Sequence, residues 1–258
     1  MPARQVVCRI VKKNWVTPTV LELGFEPSKR FQFLPGQFLS IAIPNSQERF
    51  RFTRRAYSLS SAPPVKGAEE KPYEISVKVT QGGIGSQYLA ALKVGDSFQC
   101  TAPYGDFLFE PKPGHSVCFI STGTGIGPFK SIIESQLLEE HQPPRVISLF
   151  GARNEGEILY KELFESLGVE TVIAVSQPSG EWRGFRGRVT DYLKSLPADW
   201  EWHSTEFYIC GNGEMVMEVA QILRSGRGVP PSSIHQECYS TVKTARIGKE
   251  EDLDKKAA

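Results

Sequence analysis

The sequence predicts a two-domain protein in which an antiparallel β-barrel precedes an α/β domain with a parallel sheet. Its 258 residues suffice for two domains of ordinary size. The first hundred-odd residues consist of short apolar or alternating segments, and from about Pro113 such segments alternate with helical ones. Because the turn-forming run Lys112-Pro113-Gly114 separates the two patterns, we expect the domains to span 1–111 and 112–258.

The first domain is predicted to consist almost entirely of β-strands, separated by turn residues such as Pro35-Gly36 and Pro63-Pro64. The strand patterns are VVCRIVKK (6–13), TVLELGFE (19–26), FLSIAIP (38–44), RRAYSLSS (54–61), YEISVKV (73–79) and DSFQCTAPYGDFLF (96–109). Only GSQYLAALKVGD (85–96) predicts a helix, which Gly95 would close. So many strands with so little helix favour a small antiparallel barrel.

The second domain alternates strand and helix patterns, which predicts a parallel sheet with helices on both faces. The strand patterns are SVCFIST (116–122), RVISLF (145–150), ETVIAVS (170–176), FYICGN (207–212) and SSIHQECYS (232–240). The helical patterns are FKSIIESQLLEEH (129–141), ILYKELFESLG (158–168), VTDYLKSL (189–196) and EMVMEVAQILRSG (214–226). The charged tail GKEEDLDKKAA (248–258) is expected to be disordered.

The composition argues against several functional classes. A formal charge of +1 with interspersed charges is not typical of a nucleic-acid-binding protein. The five dispersed cysteines form neither a C-x-x-C pair nor an iron–sulfur pattern, and the four histidines lack metal-ligand spacing, so no metal site is expected. The absence of a signal-peptide or membrane-span pattern predicts a reducing, cytoplasmic setting.

The run Arg55-Ala56-Tyr57-Ser58 lies on a predicted barrel strand. Arginine can contact an anionic phosphate bidentately, tyrosine can pack against a flat ring system such as a flavin, and serine is a small hydrogen-bond donor. Taken alone, the run fits an ordinary barrel strand with an exposed charge better than it fits a binding site.

A glycine-rich turn, Gly82-Gly83-Ile84-Gly85-Ser86, immediately precedes the predicted barrel helix. Glycines let the backbone approach a phosphate closely, and a helix start offers free N–H groups and the positive end of a dipole. The alternative is that Ser86 only caps the helix.

The segment GTGIGPF (123–129) directly follows the first strand of the α/β domain. It differs from the G-x-G-x-x-G pattern, yet it occupies the carboxyl end of a parallel strand, where ligands bind in open α/β sheets. Pro128 suits the first helical turn. A strand-to-helix connection without a ligand explains the segment equally well.

The segment CGNGEM (210–215) is a second glycine turn between a strand and a helix. The small thiol of Cys210 beside a glycine leaves room for a flat ring, although a cysteine in an apolar strand more often serves only packing. No neighbouring base would make Cys210 a nucleophile.

Cations follow the second and third strands of the α/β domain, at Arg153, Arg183, Arg186 and Arg188. These side chains could bind the phosphates of an adenosine nucleotide. For any single arginine among them, a solvated loop is the simpler explanation.

The order of these motifs in one chain is more specific than any of them alone. R-x-Y-S on a barrel strand, followed by GGIGS, GTGIGPF and CGNGEM, resembles the ferredoxin–NADP reductase family from about Val6 to Tyr239. Within that family, the motifs most resemble those of bacterial ferredoxin/flavodoxin reductases and of the reductase modules of oxygenases. The resemblance implies an FAD-binding Greek-key barrel followed by an NAD(P)-binding α/β domain.

The resemblance also implies roles for individual residues. The implied flavin-binding residues are Arg55, Ala56, Tyr57, Ser58, Val77, Val79, Gly83, Ile84, Gly85, Ser86 and Tyr239. The implied nucleotide-binding residues are Gly123, Thr124, Gly125, Arg153, Arg183, Arg188 and Gly211. The implied catalytic residues are Ser58 near flavin N5, Cys210 beside the nicotinamide and Glu237 beside the flavin.

The function that the resemblance implies is electron transfer between NADP(H) and ferredoxin or flavodoxin, through hydride transfer to flavin N5 in a monomeric enzyme. Ser176-Gln177 stands where many NADPH-dependent members have Ser-Arg, so NAD(H) stays open. Tyr239 precedes a tail, whereas plant-type members end on an aromatic residue that covers the flavin. The alternatives are an NADH-dependent reductase of an oxygenase or cytochrome system, and a non-catalytic electron-transfer subunit of a larger complex.

Overall fold

The computed structural model describes residues 3–44 and 52–239, so the tail predicted at 248–258 lies outside the described residues. The strands of the first half are β1 (Arg4–Thr17), β2 (Val20–Pro27), β3 (Phe38–Pro44), β4 (Phe52–Ser58), β5 (Tyr73–Lys78) and β6 (Ser97–Tyr104). They form an antiparallel sheet in the order β4-β3-β6-β1-β2-β5, and a bridge between Leu59 and Ile75 brings its edges together. This order confirms the predicted Greek-key barrel.

Strand β5 shows how alternating side chains build the barrel core. Tyr73, Ile75 and Val77 are buried and pack in the same cluster as Phe25 and Phe98. Because successive side chains of a strand point to opposite faces, the residues between them face away from the barrel core. Helix α1 (Ile84–Ala91) follows β5 and contributes a buried leucine to the same core.

The second half forms a parallel sheet with helices, as the sequence predicts. Its elements are β7 (Ser116–Thr122), α2 (Gly127–Glu134), α3 (Leu137–His141), β8 (Val146–Ala152), α4 (Lys161–Ser166), β9 (Glu170–Val175), β10 (Phe185–Arg186), α5 (Val189–Ser195), β11 (Thr205–Gly211), α6 (Gly213–Gln221) and β12 (Ile234–Cys238). The strand order is β10-β9-β8-β7-β11-β12. Apolar clusters lie on both faces of this sheet.

The strand order reverses between β7 and β11. Strand β8, which follows β7 in the chain, lies on one side of it, whereas β11 lies on the other. A crevice at the carboxyl ends of the strands opens at such a reversal and is where ligands bind in open α/β sheets. The turn after β7 and the turn after β11 therefore face each other across this crevice.

Two predicted helices end earlier than the sequence suggests. The helix predicted over 85–96 covers only Ile84–Ala91, and Gly95, at φ +97°, lies instead in a turn closed by a hydrogen bond from Asp96 N to Lys93 O. The helix predicted over 129–141 breaks at Ser135, whose backbone is extended. The Ser135 hydroxyl donates to Ile132 O at 2.6 Å, in competition with the helical backbone.

Other boundaries also differ from the prediction. The strand predicted over 96–109 ends at Tyr104, because Gly105 has a φ of +106° that a strand does not accommodate. The short strand β10 was not predicted, and a π-helical turn, Ile222–Gly226, extends α6. Among the described residues, no helix has the length and apolar character needed to span a membrane.

Candidate active site

Strand β4 and the start of α1 form one wall of the site. Arg55 and Tyr57 lie on the same face of β4, which is an edge strand with mostly exposed side chains. A Cβ atom added to Gly85 would lie 2.8 Å from the Tyr57 hydroxyl and 2.9 Å from Arg55 Cγ. The two barrel motifs are therefore in close contact, and a side chain at position 85 would displace Tyr57 or Arg55.

The glycine turn before α1 is organised by Ser86, but Ser86 is not the helix cap. Gly83 occupies the N-cap position. The Ser86 hydroxyl donates to Gly83 O at 3.1 Å and accepts from Thr80 N at 3.2 Å. The alternative that Ser86 caps the helix is thus wrong; its side chain fixes the turn that presents the N–H groups of the first helical turn.

The turn after β7 packs directly against the end of β11. Gly123 has a φ of +54° and begins a 3₁₀ turn, Gly123–Ile126. A Cβ atom added to Gly125 would overlap the carbonyl oxygen of Cys210 and lie 2.7 Å from Gly211 Cα. The GTGIGPF and CGNGEM motifs therefore meet at the predicted crevice.

A cleft of about 620 Å³ extends from this contact along the carboxyl ends of the parallel strands. Such a volume suits a nucleotide-sized ligand. The residues lining it include Lys78, Thr122, Gly123, Thr124, Gly151, Arg153, Glu157, Ser176, Arg188, Thr190, Gly211, Asn212, Glu214, Glu218 and Tyr239.

The predicted cations separate into two groups. Arg153 and Arg188 line the cleft. Arg183 is exposed and lies outside the described lining of the cleft. The Arg186 guanidinium is bound by carbonyl oxygens of the 179–182 loop, the closest being Trp182 O at 2.8 Å, so it serves to hold that loop.

A second, smaller cleft of about 160 Å³ joins the barrel wall to the nucleotide cleft. Here the Tyr239 hydroxyl lies 3.0 Å from the Ser58 hydroxyl and donates to Thr124 O at 3.4 Å. It also bonds the thiol of Cys210, which is fully buried. Ala56 and Tyr57 line the same cleft. Residues from both halves of the chain thus converge at one point.

Burial determines the protonation of the thiol at this point. It raises the pKa of Cys210, and the hydrogen bond from Tyr239 only partly offsets this effect. Cys210 is therefore a neutral thiol at physiological pH, in agreement with the absence of a neighbouring base. Tyr239 is half-exposed, but its hydroxyl is enclosed by Ser58, Thr124 and Cys210, and burial raises its pKa as well.

Glu237, the remaining predicted catalytic residue, lies next to Cys210 but lines a different cavity from Ser58. It is in register with Cys210 on adjacent strands, but its side chain lines a separate cavity of about 360 Å³ with Asp106, Phe107 and His235. Burial raises the pKa of Glu237 to about 7. Its Oε2 atom is buried without a hydrogen-bond partner among the described residues.

Lys78 and Glu157 are cleft residues that the sequence reasoning missed. Lys78 lines both clefts, and its Nζ lies 3.7 Å from Glu157 Oε2 across the boundary between barrel and α/β half. The family pattern implies that the backbone from Val77 to Val79 lines the flavin, and the side chain of Val77 points into the barrel core. The period-2 alternation of β5 was the available signal, because it places Lys78 on the face opposite Val77.

Comparisons with known proteins agree with this geometry. An oxidoreductase FAD-binding domain family matches residues 7–109, and an oxidoreductase NAD-binding domain family matches residues 119–221. Ferredoxin–NADP reductase B of Sorangium cellulosum (strain So ce56) is 31% identical over 242 residues, which cover 90% of this chain and 96% of that protein. This chain belongs to the ferredoxin–NADP reductase family. It is accordingly an oxidoreductase with FAD-binding and NAD-binding domains.

Two further comparisons concern an oxygenase reductase component and a solved ferredoxin reductase. The reductase component of phenol 2-monooxygenase from Pseudomonas sp. (strain CF600) is 30% identical over 220 residues, covering 82% of this chain but only 59% of that protein. A solved ferredoxin NADP⁺ reductase from Neisseria gonorrhoeae with bound FAD and NADP has the same fold, with a TM-score of 0.77 at 22% identity. The alignment covers 93% of this chain and 100% of that one.

The barrel residues fit the flavin that a family member binds. The exposed Arg55 lies beside a glycine turn at a helix start, and a cation next to free N–H groups suits an anion such as a pyrophosphate. Tyr57 is half-buried next to that site and lines the small cleft with Ser58. A phosphate site adjoining a flat, partly apolar cleft matches the two ends of a dinucleotide.

Proposed function

We propose that this reductase transfers hydride between NADPH and bound FAD and exchanges electrons with ferredoxin or flavodoxin. The observation that supports this proposal best is the convergence at the Tyr239 hydroxyl. Ser58 of the flavin motif, Thr124 of the nucleotide turn and Cys210 of β11 all contact it. These segments are distant in sequence, and their common contact supports the proposal that a flavin-binding wall lies beside a nucleotide-binding turn.

In this proposal the barrel binds FAD. Arg55 and the N–H groups after Gly83 bind the pyrophosphate, Ala56 and Tyr57 line the ring, and Ser58 lies where it can donate to the reacting edge of the ring. The backbone of Val77 to Val79, with Ile84, Gly85 and Ser86, completes the site. When bound, FAD supplies an acceptor for two electrons and a donor of single electrons.

The α/β half binds the nicotinamide nucleotide. Gly123, Thr124 and Gly125 bind its phosphates, and Cys210 and Gly211 border its ring. Because the thiol is neutral, buried and hydrogen-bonded to Tyr239, its role is to pack beneath the ring site rather than to react. Catalysis then depends mainly on holding two rings at a reactive separation, which can contribute about 7–11 kcal/mol to lowering a barrier.

The charges of the large cleft favour NADPH over NADH. Arg153 and Arg188 line the cleft, and neither guanidinium forms an ion pair within residues 3–44 and 52–239. A free arginine pair suits a phosphate, which each residue can bind through parallel N–H groups. We propose that these residues bind the 2′-phosphate that distinguishes NADPH, in place of the Ser-Arg pair of other members.

Acidic residues of the same cleft do not cancel this effect. Glu157 is paired with Lys78 at 3.7 Å, and Glu218 is paired with Lys194 at 3.0 Å. Among the described lining residues, Glu214 is the carboxylate without an ion pair. The cleft therefore retains a local positive charge, which favours the more anionic nucleotide.

Arg153→Ala tests the coenzyme preference. Loss of a charge-assisted contact costs about 1.5–3 kcal/mol, so we expect kcat/KM for NADPH to fall about tenfold or more while that for NADH is unchanged. Arg183→Ala is the matched control, because Arg183 is exposed outside the described cleft lining. An equal loss with both coenzymes would refute the proposed 2′-phosphate contact.

The function itself is tested by reconstitution. Purified protein should bind one FAD, and anaerobic NADPH should bleach the visible flavin band. Rates with ferredoxin and flavodoxin should then exceed those with a cytochrome. A protein that does not retain FAD, or a flavin that NADPH does not reduce, would refute the proposal.

A second candidate function is that of an NADH-dependent oxygenase reductase. Similarity to the reductase component of phenol 2-monooxygenase favours it, although this chain spans 59% of that protein. The two candidates differ in coenzyme and acceptor. A higher kcat/KM for NADH together with electron delivery to an oxygenase would support the second and contradict the first.

A further inference from the structure

Strand β5 connects the two halves of the molecule through the side chains that point away from the barrel core. Glu74, Ser76 and Lys78 alternate with the buried core residues and point toward the α/β half. Each contacts a different residue there, and the pairs are Glu74 Oε2 with Lys130 Nζ at 2.8 Å, Ser76 Oγ with Tyr160 Oη at 2.8 Å and Lys78 Nζ with Glu157 Oε2 at 3.7 Å.

Tyr160 is the centre of this set of contacts. Its hydroxyl donates to Glu22 Oε2 at 2.9 Å in addition to its contact with Ser76. Glu22 and Ser76 are both buried, on adjacent strands β2 and β5. The ammonium group of Lys130 lies 5.5 Å from the centre of the Tyr160 ring. One side chain of the α/β half is thus held by two barrel strands and by helix α2.

The backbone of Tyr160 is strained. Its φ of +55° lies in the left-handed region, which a bulky residue other than glycine rarely adopts. Such a conformation persists only where surrounding contacts maintain it, and at functional sites it is part of how a group is oriented. Here the contacts that maintain it are the hydrogen bonds to Glu22 and Ser76.

The segments fastened to β5 are those that hold the nucleotide. Lys130 lies in α2, directly after the GTGIGPF turn, and its neighbour Ser131 donates to Ser61 O of the barrel at 2.6 Å. Tyr160 ends the segment after β8 that contributes Arg153 and Glu157 to the large cleft. Strand β5 itself borders the flavin site through Lys78 and the backbone beside it.

We propose that Tyr160 is a positioning residue for hydride transfer, whose hydroxyl fixes the nucleotide-binding segment against the flavin-binding barrel. This inference rests on the proposed function, since it concerns the separation of the two rings. The ion pair beside Tyr160 is also maintained. Burial alone would raise the pKa of Glu74, but Lys130 and Lys12 together lower it, so Glu74 stays charged and keeps its bond to Lys130. A displacement of 1 Å far from the chemistry can cost about a hundredfold in rate.

Tyr160→Phe removes the hydroxyl and keeps the ring. We expect single-turnover flavin reduction to slow by about tenfold, which is less than the roughly hundredfold loss that a 1 Å displacement of the reacting groups can cause. The nucleotide Kd and FAD content should be unchanged, because Tyr160 does not line either cleft. The long-wavelength charge-transfer absorbance of the stacked rings should weaken. In the flavin-free protein, amide hydrogen exchange should accelerate in 153–161.

Tyr192→Phe is the matched control, because the Tyr192 hydroxyl has no hydrogen bond within the described chain and lies in helix α5, away from β5. If Tyr160→Phe does not fold, Glu22→Leu, which removes the acceptor of the same hydrogen bond while Lys12 keeps its bond to Glu74, provides the test by the same criteria. The role of Tyr160 would be overturned if the Tyr160→Phe protein showed the same rate of hydride transfer and the same charge-transfer absorbance as wild type. This holds whether or not its amide hydrogen exchange is faster. Wild-type protein that NADPH does not reduce would instead refute the proposed function.

Discussion

Gly125 is the residue whose replacement should most selectively damage the nucleotide half. It lies in the 3₁₀ turn after β7, and a methyl group there would overlap the Cys210 carbonyl oxygen. The next contacts are the Cys210 carbonyl carbon at 2.6 Å and Gly211 Cα at 2.7 Å. All of these atoms belong to the backbone of β11, so no side-chain rotation can relieve the overlap. Gly125→Ala must therefore push the turn away from the strand.

The expected cost follows from the nature of the clash. Overpacking a well-packed site costs about 1–3 kcal/mol, and a backbone clash belongs at the upper end of that range. For a chain of this size each kcal/mol lowers Tm by about 2–4 °C, so a loss of roughly 5–10 °C is expected. The same movement separates Gly125 from Gly211, so affinity for NADPH should fall while FAD content is retained.

Gly127→Ala is the control within the same motif. A methyl group at Gly127 would meet only Ser60 Cβ, at 3.5 Å, which is an ordinary contact, and its φ of −56° suits alanine. Thermal unfolding of the flavin-free variants, followed by circular dichroism, compares the two. If Gly125→Ala melted within about 1 °C of Gly127→Ala, the packing of the turn against β11 would be wrong.

Two further variants test the proposed flavin contact of Arg55 and the buried carboxyl group of Glu237. Arg55→Ala should weaken FAD binding about ten- to hundredfold, which is the value of one charge-assisted contact. Arg54→Ala should leave FAD binding unchanged, because Arg54 contacts Thr101 on the opposite side of β4. A flavin titration that gives normal affinity for Arg55→Ala would exclude a contact between Arg55 and the pyrophosphate. For Glu237, the folded state holds the proton more tightly than the unfolded chain, so its contribution to stability is present below pH 4.5 and is lost as pH rises toward about 7. Glu237→Gln should remove that decline in Tm across the same pH interval, and an identical pH profile for both proteins would show that the carboxyl group is not buried.

The sequence was sufficient for features that depend on local pattern. Alternation over residues 73–79 predicted a strand, and the change of rhythm near Pro113 predicted a second fold type. The joint order of four weak motifs predicts that Tyr57 and Cys210 belong to one site; in the structure Tyr57 lines the smaller cleft with Tyr239, whose hydroxyl bonds the buried Cys210 thiol. Each motif alone was ambiguous, because glycine turns and strand arginines serve many purposes.

Local sequence patterns do not predict contacts between segments that are distant in the chain. Tyr160 is 138 residues from Glu22, and no periodicity relates them. The Arg186 guanidinium was indistinguishable from Arg188 in the sequence, and only the fold shows that loop carbonyls bind it. Glu237 matches the family pattern and is paired with Cys210 across two strands, but only the fold shows that it lines a different cavity from that of Ser58.

Hydride transfer across the junction between the barrel and the α/β half can be followed by anaerobic rapid mixing of the FAD-loaded protein with NADPH that carries deuterium at the transferable C4 position. We expect the flavin band to bleach more slowly with the labelled nucleotide than with the unlabelled one, and oxidised nucleotide to form in equal amount to reduced flavin. Absence of bleaching, or bleaching at the same saturated rate with labelled and unlabelled NADPH, would refute hydride transfer across this junction.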